Sequence, residues 1–592
     1  MGERAHQDIS SPGGLPAGRR AVRVDRLPGD GAALRERGWW RDRTLVDDLL
    51  DHASNQPDKT AIVSHHADRP AESLTYRQLA ETVDRYASVL LDLGVAPGEA
   101  VSFQLPNWWQ FAALHLACGR IGAVSNPILP ILRKREVTFI CDRLASRVLV
   151  TAGTFRGHDH AAMAAEIAGT LGTLEQVLTV GVPPGQGLPA GVGRLEDLAG
   201  QVTPDAGRLD AVRPSPDAPA QVGFTSGTTG EPKGAVHTWN TVYAGMRPSY
   251  EAARLSPDDV VLAFSPLPHT VGFYYGVTMP LLYGMTVIYQ DIWDPVVALK
   301  LVAEHGITWT MAAPTFLADL CDALGDGTAA ASTLTRISCA GAPIPPALVD
   351  RVRQRLGARL LAVWGMTEVG AVTSTRIEDD PMRAAASDGG AMPWNEVAVV
   401  DEAGAEMPRG RDGRLVVRGA SLLVGYHRRP DLFAAAMSDG GWFDTGDLAR
   451  MDEQGYIRIS GRAKDLVIRG GENIPVVEVE GELIRHPAVR DIAVVGAPDP
   501  RLGERAVAVV VPADPAAPPT LADLRAHLRA AGMATHFWPE HLVIVDALPR
   551  TPTGKVQKFV LRGAVAGTFA QTSSPVAAAG PGRDRRPTLE SQ

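Results

Sequence analysis

Phe224-Thr225-Ser226-Gly227-Thr228-Thr229-Gly230-Glu231-Pro232-Lys233-Gly234 is the stretch on which the reading of this chain turns. Hydroxyl residues alternate with glycines, a lysine follows closely, and the apolar run Ala218 to Phe224 ahead of it reads as a strand. Glycines let a backbone approach a ligand, and successive N–H groups in such a loop form an anion-binding concavity. The Ser and Thr hydroxyls add donors and Lys233 adds a point charge, so the loop is a cradle for a polyphosphate. It is not a Walker A loop, because the spacing Gly-x4-Gly-Lys-Ser/Thr is not met.

Composition narrows the class. A chain of 592 residues exceeds what one core usually organises, so two or more domains are expected. The 45% hydrophobic and 21% charged content is that of an ordinary globular protein. A net charge of -9 argues against nucleic acid or an anionic membrane as the main partner. Cys118, Cys141, Cys321 and Cys339 lack metal-ligand spacing and form no disulfide pattern, which points to a reducing cytoplasm. The most apolar run, Phe111 to Leu132, is broken by Gly119, Arg120, Gly122, Asn126, Pro127 and Pro130, and reads as a buried helix followed by a turn. No continuous apolar stretch opens the chain, so no secretory signal is expected.

Along the chain, residues 1–38 show no period and are expected to be a disordered or loosely packed extension. From Thr44, helix and strand signals alternate. Leu79, Val83, Tyr86, Leu90 and Leu93 give a helix; Val260 to Ala263, Thr286 to Gln290, Arg336 to Ala340 and Leu360 to Trp364 give strands. Alternation of this kind predicts α/β architecture with parallel sheets covered on both faces. Ligand loops in such sheets follow the carboxyl ends of strands, where both the glycine-rich loop and the Met366-Thr367-Glu368 turn fall. After about Arg414 the texture becomes β-rich, and beyond Gly461 it mixes helices and strands as in a small α+β domain. The expected division is a large domain over 39–461, a small mobile domain over 462–565, and a disordered tail over 566–592.

Read in order, the motifs from about Thr44 to Arg562 closely resemble the adenylate-forming superfamily of acyl-CoA synthetases, peptide-synthetase adenylation domains and luciferase. The glycine-rich loop resembles its phosphate loop. Pro266-Leu267-Pro268-His269-Thr270-Val271-Gly272 resembles the next core motif, and Ala340-Gly341-Ala342-Pro343 the segment along the adenine. Trp364-Gly365-Met366-Thr367-Glu368 resembles the Tyr-Gly-x-Thr-Glu signature, with Trp for Tyr. Gly441-Trp442-Phe443-Asp444-Thr445-Gly446-Asp447 resembles the ribose motif, Gly461-Arg462-Ala463-Lys464-Asp465 the hinge, and Pro552-Thr553-Gly554-Lys555 the catalytic lysine motif. Arg414 departs from the Glu often found there.

The resemblance implies a two-step reaction. A carboxylate attacks the α-phosphate of ATP, releasing pyrophosphate, and the thiol of coenzyme A then displaces AMP. Two anions must meet in the first step, so donors and cations aimed at the developing charge are required. By resemblance, Thr225, Ser226, Gly227, Thr228, Thr229, Gly230 and Lys233 hold the β- and γ-phosphates. Gly341, Ala342, Pro343, Trp364, Gly365 and Met366 form the rest of the ATP site. Thr367 donates to the α-phosphate, Glu368 holds Mg2+, Asp447 accepts from the ribose hydroxyls, and Arg462 helps hold the nucleotide. Lys555 bridges the attacking carboxylate and the nucleotide, and His269 lines the acyl and thiol tunnel. Rotation about Lys464 then brings Gly470 and Gly471 to the coenzyme A tunnel.

Phe103-Gln104-Leu105-Pro106-Asn107-Trp108-Trp109 and Arg469 to Ile474 look most like the cyclohexanecarboxylate-CoA and short- to medium-chain fatty-acid-CoA ligase branch. Phe273, Tyr274, Tyr275 and Met311 suggest a pocket for an apolar acid. A carrier-protein phosphopantetheine is the alternative acceptor; no Gly-Gly-Asp-Ser segment occurs, which points to free coenzyme A. A non-catalytic nucleotide-binding protein would typically lack Lys555 or Glu368, and both are present. No motif reports on oligomeric state.

Overall fold

A computed structural model describes residues 21–27, 30–225, 232–325, 333–462, 467–469, 472–499, 503–531, 533, 535–550 and 555–570. The chain divides into two units, Met1–Ala463 with Thr551–Lys555, and Lys464–Arg550 with Val556–Gln592. The division after Ala463 lies two residues beyond the sequence-based one.

Among the described residues the larger unit contains two mainly parallel sheets, a four-stranded antiparallel sheet and a two-stranded ribbon, so it is the α/β architecture the alternating pattern predicts. In the nine-stranded sheet, Thr60–His65, Thr286–Gln290, Val260–Ala263, Trp309–Ala312, Arg336–Cys339 and Arg359–Met366 run parallel in that spatial order, with antiparallel strands added at both ends. Val260–Ala263 and Thr286–Gln290 occupy the residues read as strands from their apolar runs. The seven-stranded sheet runs parallel from Pro219–Thr225 through Val124–Pro127, Ala100–Gln104, Val148–Ala152 and Gln176–Val180 to Val192–Arg194. Lys233–Thr238 adds antiparallel to Pro219–Thr225 at the edge.

One large apolar cluster joins residues from both sheets with the helices Tyr76–Asp92, Trp109–Arg120 and Trp239–Ala252. The helix Trp109–Arg120 is buried from Gln110 to Arg120, which is why its sequence reads as nearly continuous apolar rather than amphipathic. Pro295–His305 and Pro314–Ala323 cover the other face of the nine-stranded sheet, and Lys134–Leu144 and His160–Ala168 cover that of the seven-stranded one. The β-rich part is a four-stranded antiparallel sheet of Asn395–Val400, Asp412–Gly419, Phe443–Met451 and Ile457–Arg462. Arg414, the departure noted in the sequence, donates to Asp444 at 2.5 Å across this sheet.

The smaller unit is α+β. Val489–Asp499 and Gly503–Pro512 form its central antiparallel pair, and His541–Ile544 joins in parallel. Alternation decides the faces: Val494, Ala508 and Val510 pack with Val479, Leu483 and Leu524. Val495, Val507 and Val509 pack with Leu561 and Val565.

Two expectations about the ends need correction. Residues 1–20 lie outside the described residues, but the segment from Ala21 is ordered against the larger unit. Val22 is buried and its N–H donates to Gly98 O at 3.0 Å, the N–H groups of Asp25 and Arg26 both reach Val424 O, and Gly31–Glu36 is a helix capped by Asp30. Composition hid this because the anchoring partners come from distant parts of the chain. At the other end the helix Lys558–Ala570 runs four residues past the expected start of the tail; residues 571–592 lie outside the described residues. Among the described residues no helix is long and apolar enough to cross a membrane.

Candidate nucleotide-binding site

The opening stretch sits where a strand feeds a turn. Pro219–Thr225 and Lys233–Thr238 pair antiparallel with Thr225 opposite Lys233. Ser226, Gly227, Thr228, Thr229 and Gly230 lie outside the described residues. Thr225 and Lys233 flank that stretch as paired strand ends. The Lys233 ammonium lies 5.1 Å from the centroid of the Tyr426 ring, and the Tyr426 hydroxyl donates to Glu368 Oε1 at 2.8 Å. The base of the glycine-rich loop is thereby tied to the Trp364–Glu368 motif through one aromatic side chain. Burial and the neighbouring Glu368 charge push the Tyr426 phenol far up, so it stays a donor.

The remaining motifs cluster at the carboxyl ends of neighbouring parallel strands. His269 follows Val260–Ala263, Gly341-Ala342-Pro343 follow Arg336–Cys339, and Thr367 follows Arg359–Met366. Gly341 has φ +94°, a conformation that favours glycine, and Gly341, Ala342 and Pro343 are exposed. Gly365 is required for packing: a Cβ there would lie 2.1 Å from Gly370 O. Thr367 is held twice. Its carbonyl accepts from His237 Nε2 at 2.8 Å, and its hydroxyl lies 2.9 Å from that of Thr270. His237 is buried and pushed down to about 4 by loss of water, so it is neutral at pH 7. Because a carbonyl can only accept, Nε2 carries the proton and Nδ1 faces Thr241 Oγ1 at 3.1 Å.

Asp447 lies on Phe443–Met451 and is 5% exposed. Trp364 Nε1 donates to its Oδ2 at 3.1 Å, and its own N–H donates to Thr445 Oγ1 at 3.1 Å. The ribose motif and the Trp364–Glu368 motif are therefore in direct contact, which 83 residues of separation conceal in the sequence. Asp447 pairs along the backbone with Arg462. Lys464, Gly470 and Gly471 lie outside the described residues. Lys555 groups with the larger unit and is exposed. His269 opens a short helical segment, where Nδ1 accepts from Val271 N–H at 3.3 Å. Its ring is only partly exposed; burial first, and then the Lys555 charge, bring it down to about 4, so it too is neutral at pH 7.

A single protein carboxylate suits Mg2+, which takes one or two carboxylates and completes its shell with phosphate and water. Glu368 fits that need: it is 7% exposed, and Tyr426 orients one of its oxygens. Among the described residues no three His, Cys, Asp or Glu side chains converge as an all-protein metal cage would require. Near His269 and Thr270, Ser265, Val271, Gly272, Tyr275, Gly276 and Met311 line a cavity of about 10 Å³, room for about one water. Gly272 is obligatory, since a Cβ would meet Pro266 O at 2.1 Å. Of the four pocket residues expected from the sequence, Tyr275 and Met311 line this space. Phe273 instead packs on His115, with ring centroids 4.8 Å apart, and Tyr274 faces Gly245 and Gly370. On a helical turn, neighbouring residues point to different faces, so an aromatic cluster in sequence cannot all face one cavity.

Sequence reasoning overlooked Tyr426, His237 and Thr270. Thr270 lies within a quoted motif, but nothing local distinguishes it. Tyr426 and His237 act only through partners 58 and 130 residues away.

A two-unit α/β fold whose motif residues gather after the carboxyl ends of parallel strands fits a nucleotide-binding enzyme, and comparison with known proteins agrees. The AMP-binding enzyme family model matches residues 49–427, and the AMP-binding enzyme C-terminal domain model matches 478–555. The chain is 36% identical over 531 residues to a medium-chain fatty-acid–CoA ligase of Escherichia coli strain K12, covering 90% of this chain and 92% of that one. It is 34% identical to a salicyl-AMP ligase / salicyl-S-ArCP synthetase of Mycobacterium tuberculosis, covering 90% and 93%. Among solved structures, ATP-bound MatB from Rhodopseudomonas palustris superposes with a TM-score of 0.78 at 30% identity, covering 89% of this chain and all of that one. The chain belongs to the AMP-binding enzyme family.

Proposed function

We infer that the protein is an ATP-dependent, AMP-forming acid–coenzyme A ligase. The observation that carries this reading is the pair of contacts that join the motifs, Lys233 through Tyr426 to Glu368 and Trp364 to Asp447, in a chain whose relatives include CoA ligases. In the first step a carboxylate oxygen of the acid forms a bond to the α-phosphorus. The bond from that phosphorus to the bridging oxygen breaks, and its electron pair leaves with pyrophosphate. Thr225 and Lys233, with Ser226, Gly227, Thr228, Thr229 and Gly230, hold the leaving phosphates; Thr367 donates to the α-phosphate; Asp447 and Arg462 hold the ribose. Gly341, Ala342, Pro343 and Trp364 flank the base. Mg2+, held by Glu368, supplies charge neutralisation to the phosphates. Lys555 brings two anions together by pairing with both. Neutral His269 adds no charge that would compete for the carboxylate.

In the second step the coenzyme A thiolate attacks the acyl carbonyl and AMP leaves. The hinge role of Lys464 and the tunnel role of Gly470 and Gly471 belong to this step. The apolar side chains of Val271, Tyr275 and Met311 beside His269 support an apolar acid, and the cysteine pattern supports a cytoplasmic location. The test is acid-dependent ATP–pyrophosphate exchange over a panel of carboxylic acids, followed by thioester formation with coenzyme A. Lys555→Ala is expected to lose about 10²-fold or more in exchange while still converting pre-made acyl-adenylate to thioester. Equal loss in both half-reactions removes Lys555 from the first step, and absence of exchange with every acid removes the ligase reading.

A further inference from the structure

Thr270 and Thr367 come from segments that follow Val260–Ala263 and Arg359–Met366, with two strands between them in the nine-stranded sheet, and their hydroxyl oxygens lie 2.9 Å apart. Each hydroxyl has one proton, so only one of the two can be the donor in the shared bond. Neither hydroxyl has another hydrogen-bond partner among the described residues, and both side chains are partly exposed. Two arrangements are therefore open. If Thr367 donates to Thr270, Thr367 has no proton left for a ligand. If Thr270 donates to Thr367, the Thr367 proton is directed away from Thr270 and toward open space.

The backbone of Thr367 cannot move to escape this choice. His237, buried behind the turn, holds the Thr367 carbonyl at 2.8 Å and is itself held by Thr241. The Thr367 methyl lies 3.6 Å from where a Cβ on Gly223 would stand, so strand Pro219–Thr225 backs its other side. With carbonyl and methyl held, rotation of the hydroxyl proton is the remaining freedom, and among the described residues Thr270 is the group that competes for it. An anion beside Thr367 accepts from Thr367, which leaves the Thr270 proton to complete the pair.

We propose that Thr270 is a positioning residue for adenylation: its hydroxyl donates to Thr367 Oγ1 and so aims the Thr367 proton at the α-phosphate oxygen, with His237 fixing the Thr367 backbone. No proton is transferred in this arrangement. The carboxylate–phosphorus bond forms and the bond to the pyrophosphate oxygen breaks, while the Thr270–Thr367–phosphate chain carries the increased charge on the phosphoryl oxygen through two aligned hydrogen bonds. The inference rests on the adenylation reading, and its test separates the two.

Thr270→Val keeps the shape and removes the hydroxyl; Thr270→Ser keeps the hydroxyl and removes the methyl. Both are assayed by acid-dependent ATP–pyrophosphate exchange, with KM for ATP and kcat measured separately and melting temperature as the check on folding. Thr270→Val is expected to lower kcat about 10- to 30-fold with KM for ATP changed less than about threefold, the scale of losing a group that orients a catalytic donor. Thr270→Ser is expected to recover to within about threefold of wild type. In a Thr367→Val background, Thr270→Val is expected to add nothing, because the proton it orients is gone. Thr270→Ala replaces Thr270→Val if the valine variant does not fold, with the same expected loss. Wild-type rate in the folded variant, a serine variant as slow as the valine one, or losses that multiply in the double variant overturn the role. Absence of exchange in the wild-type protein overturns the adenylation reading and this inference together.

Discussion

At the carboxyl edge of the seven-stranded sheet, Gln104 is used up inside the protein. Its amide donates to Leu129 O and Leu132 O at 2.9 and 3.0 Å, and its carbonyl oxygen accepts from His160 Nδ1 at 3.0 Å. At the carboxyl edge of the nine-stranded sheet, two hydroxyls share one bond between Thr270 and Thr367, and Glu368 receives an oriented donor from Tyr426, while Asp447 on the four-stranded sheet accepts from Trp364. The same strand geometry thus ends in a closed set of hydrogen bonds in one sheet and in donors and acceptors with capacity to spare in the other. A buried polar group whose bonds are complete stabilises its loops; one held in place with capacity remaining can act on a ligand.

Three substitutions would break or sharpen that contrast. The largest effect is expected from Glu368→Gln, which keeps an acceptor for Tyr426 but removes the negative charge. Exchange should fall about 10²-fold, with a raised requirement for Mg2+ and an unchanged melting temperature. A variant that exchanges normally at limiting Mg2+ would take Glu368 out of metal binding. Next is Trp364→Phe, which keeps a flat ring but deletes the N–H that orients Asp447. KM for ATP should rise about tenfold, the scale of a hydrogen bond to a charged group, and an unchanged KM would make that bond incidental. The smallest effect on chemistry is expected at the closed edge. Gln104→Leu should leave kcat for exchange within about twofold of wild type. It should cost about 1–3 kcal/mol in denaturant unfolding, because Leu129, Leu132 and His160 lose partners. A drop in exchange rate without a drop in stability would erase the distinction between the two edges.

Much of the architecture was legible because apolar periodicity and strand-breaking residues are local properties. Val260–Ala263 and Thr286–Gln290 follow directly from such runs, as does the fully buried helix Trp109–Arg120. The ordered segment from Ala21 was illegible for the opposite reason: its hydrogen bonds go to Gly98 and Val424, far along the chain. The pocket aromatics failed differently. Four apolar residues were visible, but which of them faced the cavity depended on the helical turn Phe273–Thr278 and its packing on His115 and Gly245.

The sequence by itself determined the class of chemistry, since ordered local motifs carry a resemblance to one superfamily wherever the chain places them. That resemblance is what points to Thr367, Glu368, Asp447 and Lys555. Only the tertiary structure decided what holds them: Tyr426 on Glu368, Trp364 on Asp447, and His237 and Thr270 on Thr367. The physical reason is range. A hydrogen bond acts over about 3 Å, and the partners that complete these bonds are 58 to 130 residues apart in the chain, so folding alone brings them within reach.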